Sequence, residues 1–349
     1  VASNRTRLSE LGTAVGLVAP ADGRWPDDLA SLTVPGLSSE VWQPAVLPVA
    51  RGPAGAERDL LLRAVDNGRA FRRSVLRGRA PASVEWTGGS RATWTSDVPR
   101  DITIDGVWFI QAKHDSTCVL NTSPASLVDT LLAEDGVTRR TSWYQEVALL
   151  ELQAYWRQAR TALIAGREIL AAEPEAQDLP ADVRDLQPSQ VKQLAPALAE
   201  VADRPEVVEA YRALARAVSV ETTLRWQQRL RAASDALRTQ MLFRMLRIAG
   251  GPYWVLGAKG SEPVRLAVAD TLSWRRRHRL HGFEVVASRA GQPQVDWWAE
   301  IYDGGADELR RVEGRCELRW SHGKLRGNPE CKVQVSTPLD AIPGYAPLG

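Results

Sequence analysis

Asp101, Gln111 and Lys113 are the residues of this chain whose types and spacing can act together chemically. An aspartate, an amide ten residues on, and a lysine one residue after that supply a carboxylate, a side-chain carbonyl and an ammonium, with the main-chain carbonyl of Ala112 between the last two. Oxygen donors of this kind suit a hard divalent cation such as Mg2+ or Mn2+. A cation held there lowers the pKa of a bound water, and an ammonium beside it can position that water or offset developing negative charge. The choice of lysine is itself informative. Of 44 basic residues only Lys113, Lys192, Lys259, Lys324 and Lys332 are lysine, so arginine carries the ordinary surface charge and Lys113 is the first lysine of the chain. A compact ammonium does work beside a nucleophile that a planar guanidinium does poorly.

Two short strands and a tight turn must position this trio. Ile102, Ile104, Trp108 and Ile110 alternate with more polar residues, and Asp105-Gly106 supplies the reversal. A two-residue loop would mix polar and apolar side chains on each face. A three-residue loop, Ile104-Asp105-Gly106 with Gly106 at positive φ, sets Thr103 opposite Val107 and separates them. Asp101, Thr103, Val107, Phe109, Gln111 and Lys113 then share one face, and Ile102, Ile104, Trp108, Ile110 and Ala112 the other. Asp105 is read as the turn aspartate, Asp97 as a turn residue four positions before Asp101, and His114 falls on the face opposite Lys113.

The composition is that of a globular protein, 44% hydrophobic and 25% charged, and a net charge of +2 means that any nucleic-acid contact must come from local patches. No apolar run approaches a membrane span and residues 1–12 lack a signal-peptide core, so the expected location is cytoplasmic, with no membrane partner. Three cysteines, Cys118, Cys316 and Cys331, give no disulfide framework. Residues 1–53, broken by six prolines, read as an irregular arm or a few short elements packed on the core. From Gly55 to about Leu76 the pattern is helical, with Leu61, Val65, Phe71 and Val75 on a stripe that Gly68 weakens. Residues 82–96 read as strand, Gly88-Gly89 turn and strand. Ser123-Pro124 opens a short helix to Leu132, and a long helix spans about 143–172. An acidic, proline-punctuated connector covers 173–190. Helices follow at about 190–202, 205–218 and 220–248, the last with Trp226, Leu230, Leu237, Met241 and Met245 as core. Six strand-like runs fill 251–349, which is either a separate β domain or the donor of residues 253–258 to the first sheet.

A helix, then a hairpin carrying Asp101 and the half-motif Gln111-Ala112-Lys113, resembles the PD-(D/E)XK nuclease superfamily, in the QxK form of its Mrr-like restriction branch. The resemblance covers roughly residues 55–165; Arg100 stands where the name expects proline, and no glutamine-tyrosine helix motif follows. It implies an α/β (α+β) fold, a restriction-endonuclease-like mixed sheet flanked by helices, with a core over 54–172, a helical region over 173–250 and a strand-rich region over 251–349. It implies Mg2+-dependent hydrolysis of a phosphodiester, with DNA as partner, in bacterial defence or restriction, the chain acting as a homodimer, in a larger assembly, or under a sensor or ATPase partner. Asp101, Gln111, Ala112 and a further carboxylate would hold the metal, and Lys113 would act on the water. Because Gln111 is neutral, Glu57 on the upstream helix is the expected extra ligand, with Glu85 behind it. Arg72 and Arg73, and the run Arg275, Arg276, Arg277 and Arg279, are expected phosphate contacts. Cys316, His322 and Cys331 lack zinc-site spacing. Trp297 and Trp298 can stack on bases, although strand tryptophans more often fill cores. The rival expectation is a catalytically inactive DNA-binding or scaffold subunit that keeps the fold.

Overall fold

A computed structural model describes residues 4–20, 27–87, 98–114, 118–133, 142–167, 179–320 and 323–348. The expected Gly88-Gly89 turn with the strand after it, Asp97, His322 and the first part of the acidic connector lie outside them. Among the described residues the chain is a mixed α/β protein with two sheets, and no helix is long and apolar enough to cross a membrane.

Of the two readings of the first 53 residues, the structure has elements packed on the core rather than an irregular arm. These residues contain α1 (Asn4–Gly16) and α2 (Ser39–Arg51), which with α3 (Ala56–Ser74) form a layer against the first sheet. Every residue of α1 from Leu8 to Gly16 is buried, so the helix has no polar face for a sequence pattern to reveal. The α2 helix tolerates two internal prolines because Pro44 and Pro48 lie on its exposed side, where the carbonyls they leave without donors meet water, while Trp42, Val46 and Ala50 face inward. Gly68 is a packing device rather than a weak point. A Cβ there would lie 2.2 Å from the Thr13 carbonyl oxygen, and one on Gly16 would lie 2.1 Å from that of Val65, so the two glycines let α1 and α3 cross nearly backbone to backbone.

The first sheet runs β1 (Val84–Trp86), β2 (Ile102–Ile104), β3 (Trp108–His114), β5 (Tyr253–Lys259), β6 (Glu262–Val268), β11 (Tyr345–Pro347) in spatial order. All its neighbours are antiparallel except β3 and β5, which pair in parallel from Ile110–Trp254 to His114–Ala258. Residues 253–258 therefore do complete the first sheet. The second sheet is antiparallel, ordered β4 (Cys118–Thr122), β10 (Pro329–Val335), β9 (Glu308–Trp320), β8 (Gln294–Asp303), β7 (His278–Ala287). The C-terminal region is thus divided between two sheets, and residues 54–172 do not close on themselves, because β4 belongs to the second sheet.

Between β4 and β5 lie α4 (Pro124–Val128), α5 (Trp143–Val147), α6 (Leu149–Arg167), α7 (Pro188–Val201), α8 (Pro205–Ala232) and α9 (Asp235–Leu246); α10 (Thr271–Arg277) follows β6. The expected break near 219 is absent. Ser219 is buried inside α8, where its hydroxyl donates to Ala215 O and accepts from Gln294 N of β8, and the chain breaks instead at Ser234, which caps α9. The expected long helix is interrupted at Ala148. The described part of the connector packs down, with Leu179 and Val183 buried and Pro180 O accepting from Trp156 Nε1 at 2.8 Å. Ile102, Ile104, Ile110, Trp254 and Leu256 face the α1–α3 layer, while Tyr253, Val255, Leu266 and Val268 join a larger core built from α5–α9 and the inner face of the second sheet.

Candidate active site at the open end of the hairpin

The turn between β2 and β3 has three residues, as the pattern requires, but they are Asp105, Gly106 and Val107: Ile104 pairs with Trp108 and Thr103 with Phe109. The register is two residues from the expected one, so the division of faces survives. Asp105 (φ 51°) and Gly106 (φ 70°) both take left-handed backbone. Asp105 accepts from Ala82 N at 2.7 Å and Ser83 N at 2.8 Å, which makes it a strut between the turn and β1.

Asp101 stands where β2 begins. Its N–H donates to Ile110 O at 2.7 Å, and its Oδ2 accepts from Ala112 N at 2.8 Å, so the carboxylate takes over the ladder one step beyond the end of the backbone pairing. The carbonyl of a strand residue points to the same side as its N–H, so Ala112 O opens on the same gap. Gln111 and Lys113 flank Ala112 on β3, both half-buried. The Lys113 ammonium donates to Cys118 O at the start of β4. Burial lowers its pKa to about 8, the Cys118 thiol opposes this, Arg247 adds to it, and Asp101 opposes it. Asp101 is shifted upward, first by burial, against the Ala112 hydrogen bond and the positive charges of Lys113 and Arg247.

Two members of this group have no signal in the sequence. Glu10, on α1 and only 6% exposed, accepts from Trp86 Nε1 at 2.7 Å. Burial pushes its pKa up to about 7, the Trp86 bond opposes the rise, and the charge of Asp101 adds to it. Arg247 follows α9 with left-handed backbone (φ 58°) and acts electrostatically on both Asp101 and Lys113.

Glu10, rather than Glu57, is the second carboxylate that interacts electrostatically with Asp101. Glu57 is exposed in the first turn of α3, ten residues before Asn67, whose Nδ2 donates to the carbonyl of Gly257, the β5 partner of Lys113. At the rise of an α-helix that is roughly 15 Å along the axis from the level of Lys113. Glu85 is exposed on β1.

Several expected phosphate contacts are engaged within the fold. Arg72 donates to Gly78 O and Val18 O, and Arg277 pairs with the buried Asp303 at 3.0 Å. Arg275 lies over Phe243 and Arg279 over Tyr302, although both remain exposed, as do Arg73, Arg276 and Arg277. The tryptophan pair divides: Trp297 is core, and Trp298 faces outward under Arg311 at 4.7 Å. Cys316 and Cys331 are buried free thiols, and among the described residues no three His, Cys, Asp or Glu are grouped to hold a metal. The oxygen donors at the hairpin are two carboxylates, Glu10 and Asp101, with the Gln111 amide and the Ala112 carbonyl on β3. No family model, curated protein or solved structure matches the chain.

Proposed function

We propose that this protein is a divalent-cation-dependent phosphodiesterase of the PD-(D/E)XK kind, acting on DNA, with its restriction-endonuclease-like core formed by α1, α3 and the first sheet. The observation that carries the reading is the Asp101 carboxylate held by Ala112 N where β2 begins, in electrostatic interaction with Lys113 and Glu10, each of the three with a pKa displaced by burial. Perturbed acids and bases brought together in this way are a mark of catalytic sites. Glu10, Asp101, the Gln111 amide and the Ala112 carbonyl fit a hard cation by donor type, and the upward shifts of both carboxylates are a cost that such a cation removes. Bound there, Mg2+ supplies an activated water and neutralises charge on the phosphate. Lys113 contributes an ammonium next to that water. With a pKa of about 8 it holds its proton at neutral pH yet can exchange it readily.

Supercoiled plasmid incubated with Mg2+ or Mn2+ tests this. Wild type should nick or linearise it, and Asp101→Ala and Lys113→Ala should each lose on the order of a hundredfold or more in rate, the scale of a positioned acid–base or electrostatic group. Equal rates in all three proteins would reject the site. A second reading, a nuclease-fold subunit that binds DNA without cutting it, draws on the same geometry: Gln111 is neutral, Asp101 is held by Ala112 N and Lys113 by Cys118 O. Calorimetric titration with Mn2+ separates the two. Heat lost in Asp101→Ala supports the enzyme, and DNA affinity without metal binding supports the subunit.

A further inference from the structure

The run from Arg275 to Arg279 passes from the last turn of α10 into β7 and sets four arginines and one histidine side by side, with no acid among them. His278 is buried, and all four arginines are exposed. Surface arginines sample many rotamers, and the freedom they lose on binding offsets much of what a contact gains. Three of these four are already held, each by a different device. The Arg275 guanidinium lies over the Phe243 ring of α9, 5.2 Å from its centroid, and that of Arg279 over the Tyr302 ring of β8 at 5.7 Å. A guanidinium stacked on a ring keeps its N–H edge free. Arg277 gives its Nε to Asp303, at 3.0 Å, and its side chain remains 60% exposed. The β8–β9 hairpin loop is shaped around it: Gly304 N donates to Arg277 O at 2.8 Å, and a Cβ on Gly305 would lie 2.9 Å from Arg277 Nε. The acids of that loop are spent within the same cluster. Asp303, 1% exposed, also pairs with Arg310 at 3.4 Å, Glu308 accepts from Arg310 Nε at 2.8 Å, and Asp307 accepts from the Tyr302 hydroxyl at 2.6 Å. Asp270 is at the other end of α10, which it caps.

We infer that Arg275, Arg276, Arg277 and Arg279 form a preorganised surface for the phosphodiester backbone of a nucleic acid. Its closely spaced anionic oxygens match the forked N–H groups of guanidinium, and arginine is the only cation in the run. That the polymer is DNA rests on the phosphodiesterase reading; the surface itself does not. Contacts of this kind fix where the protein sits on the nucleic acid and carry no sequence preference. A lipid surface fits less well, because Leu272 is the one large apolar side chain of α10 that reaches solvent, too little to enter the acyl boundary as amphipathic membrane helices do.

The test uses the full chain and a short labelled duplex DNA without divalent ions, binding being followed by fluorescence anisotropy over a series of salt concentrations. Arg277 is left in place, because its loss would strand the buried Asp303. Arg275→Ala, Arg276→Ala and Arg279→Ala combined should weaken binding on the order of a hundredfold and reduce the slope of log affinity against log salt by about 3, close to one unit per phosphate contact. Arg157→Ala, Arg212→Ala and Arg231→Ala combined remove the same charge from exposed positions elsewhere and should change neither by much. Both variants should melt close to wild type, since all six side chains are exposed. Absent or salt-independent binding by wild type, an unchanged slope in the first variant, or an equal loss in the second overturns the proposal, as does binding of wild type to phosphatidylserine vesicles in place of DNA. Plasmid cleavage with Mg2+ is read separately. If wild type binds as expected but cuts nothing, the surface stands and the phosphodiesterase reading falls; if wild type cuts and the first variant binds as tightly as wild type, the reverse holds.

Discussion

At the scale of single residues the candidate site divides into what a local pattern can show and what only packing can. Asp101, Gln111 and Lys113 were legible because strand alternation and a turn dipeptide bring nearby residues together over a few ångströms of backbone. Even there the turn proved to begin one residue later, since both Asp105 and Gly106 accept left-handed backbone and Asp105 is tied to Ala82 and Ser83. Glu10 was not legible, because a carboxylate in a helix buried on every side has no polar stripe around it. Its environment makes a prediction. Folding favours its protonated form, so between about 4.5 and about 7 the folded chain binds more protons than the unfolded one, and stability falls as pH rises through that window. With Asp101 shifted in the same direction, the effect of Glu10 alone amounts to at most about 3 kcal/mol. Glu10→Gln should flatten this dependence and melt above wild type at pH 8 without divalent ions. Added Mg2+ should raise the melting temperature of wild type but not of the variant. Parallel melting curves from pH 5 to 8 would show that the carboxylate is not held as described.

At the scale of elements, the site depends on how closely α1 and α3 approach. The stripe of α3 was readable from Leu61, Val65 and Phe71, all of them buried, but the contact it makes runs through glycines, which carry no hydrophobic signal. Gly68→Ala would set a Cβ against the Thr13 carbonyl oxygen, and backbone cannot move aside as a flexible side chain does. Overpacking of this kind costs typically about 1–3 kcal/mol and displaces the helix that carries Glu10. The variant should melt lower than wild type and lose metal affinity along with stability. Gly55→Ala, where a Cβ meets open space and the backbone is extended, should change neither, and thermal melts with Mn2+ titrations of the two proteins check both. A similar close approach occurs between β3 and β5, where a Cβ on Gly257 would meet Lys113 O at 1.4 Å, so the glycine inside YWVLGA marks the strand that must lie against Lys113.

At the scale of the whole molecule, six of the seven C-terminal strands among the described residues were legible from alternation, all but β11, but their partners were not, because strand pairing across more than a hundred residues leaves no local trace. The parallel neighbour of β3 arrives only after α4–α9, and β6 and β11 continue that sheet, with Tyr345 opposite Val268. In exchange β4 crosses to the second sheet, where Cys331 faces Thr122. The two sheets therefore hold each other's strands, and the larger core draws on both. A boundary at residue 250 would leave β3 with an unpaired edge, β4 with no sheet and the inner faces of α8 and α9 exposed. Residues 1–250 and 251–349, produced separately, should each lack a cooperative melt and a dispersed amide NMR spectrum. A dispersed spectrum from 251–349 alone would show instead that the second sheet is an independent domain.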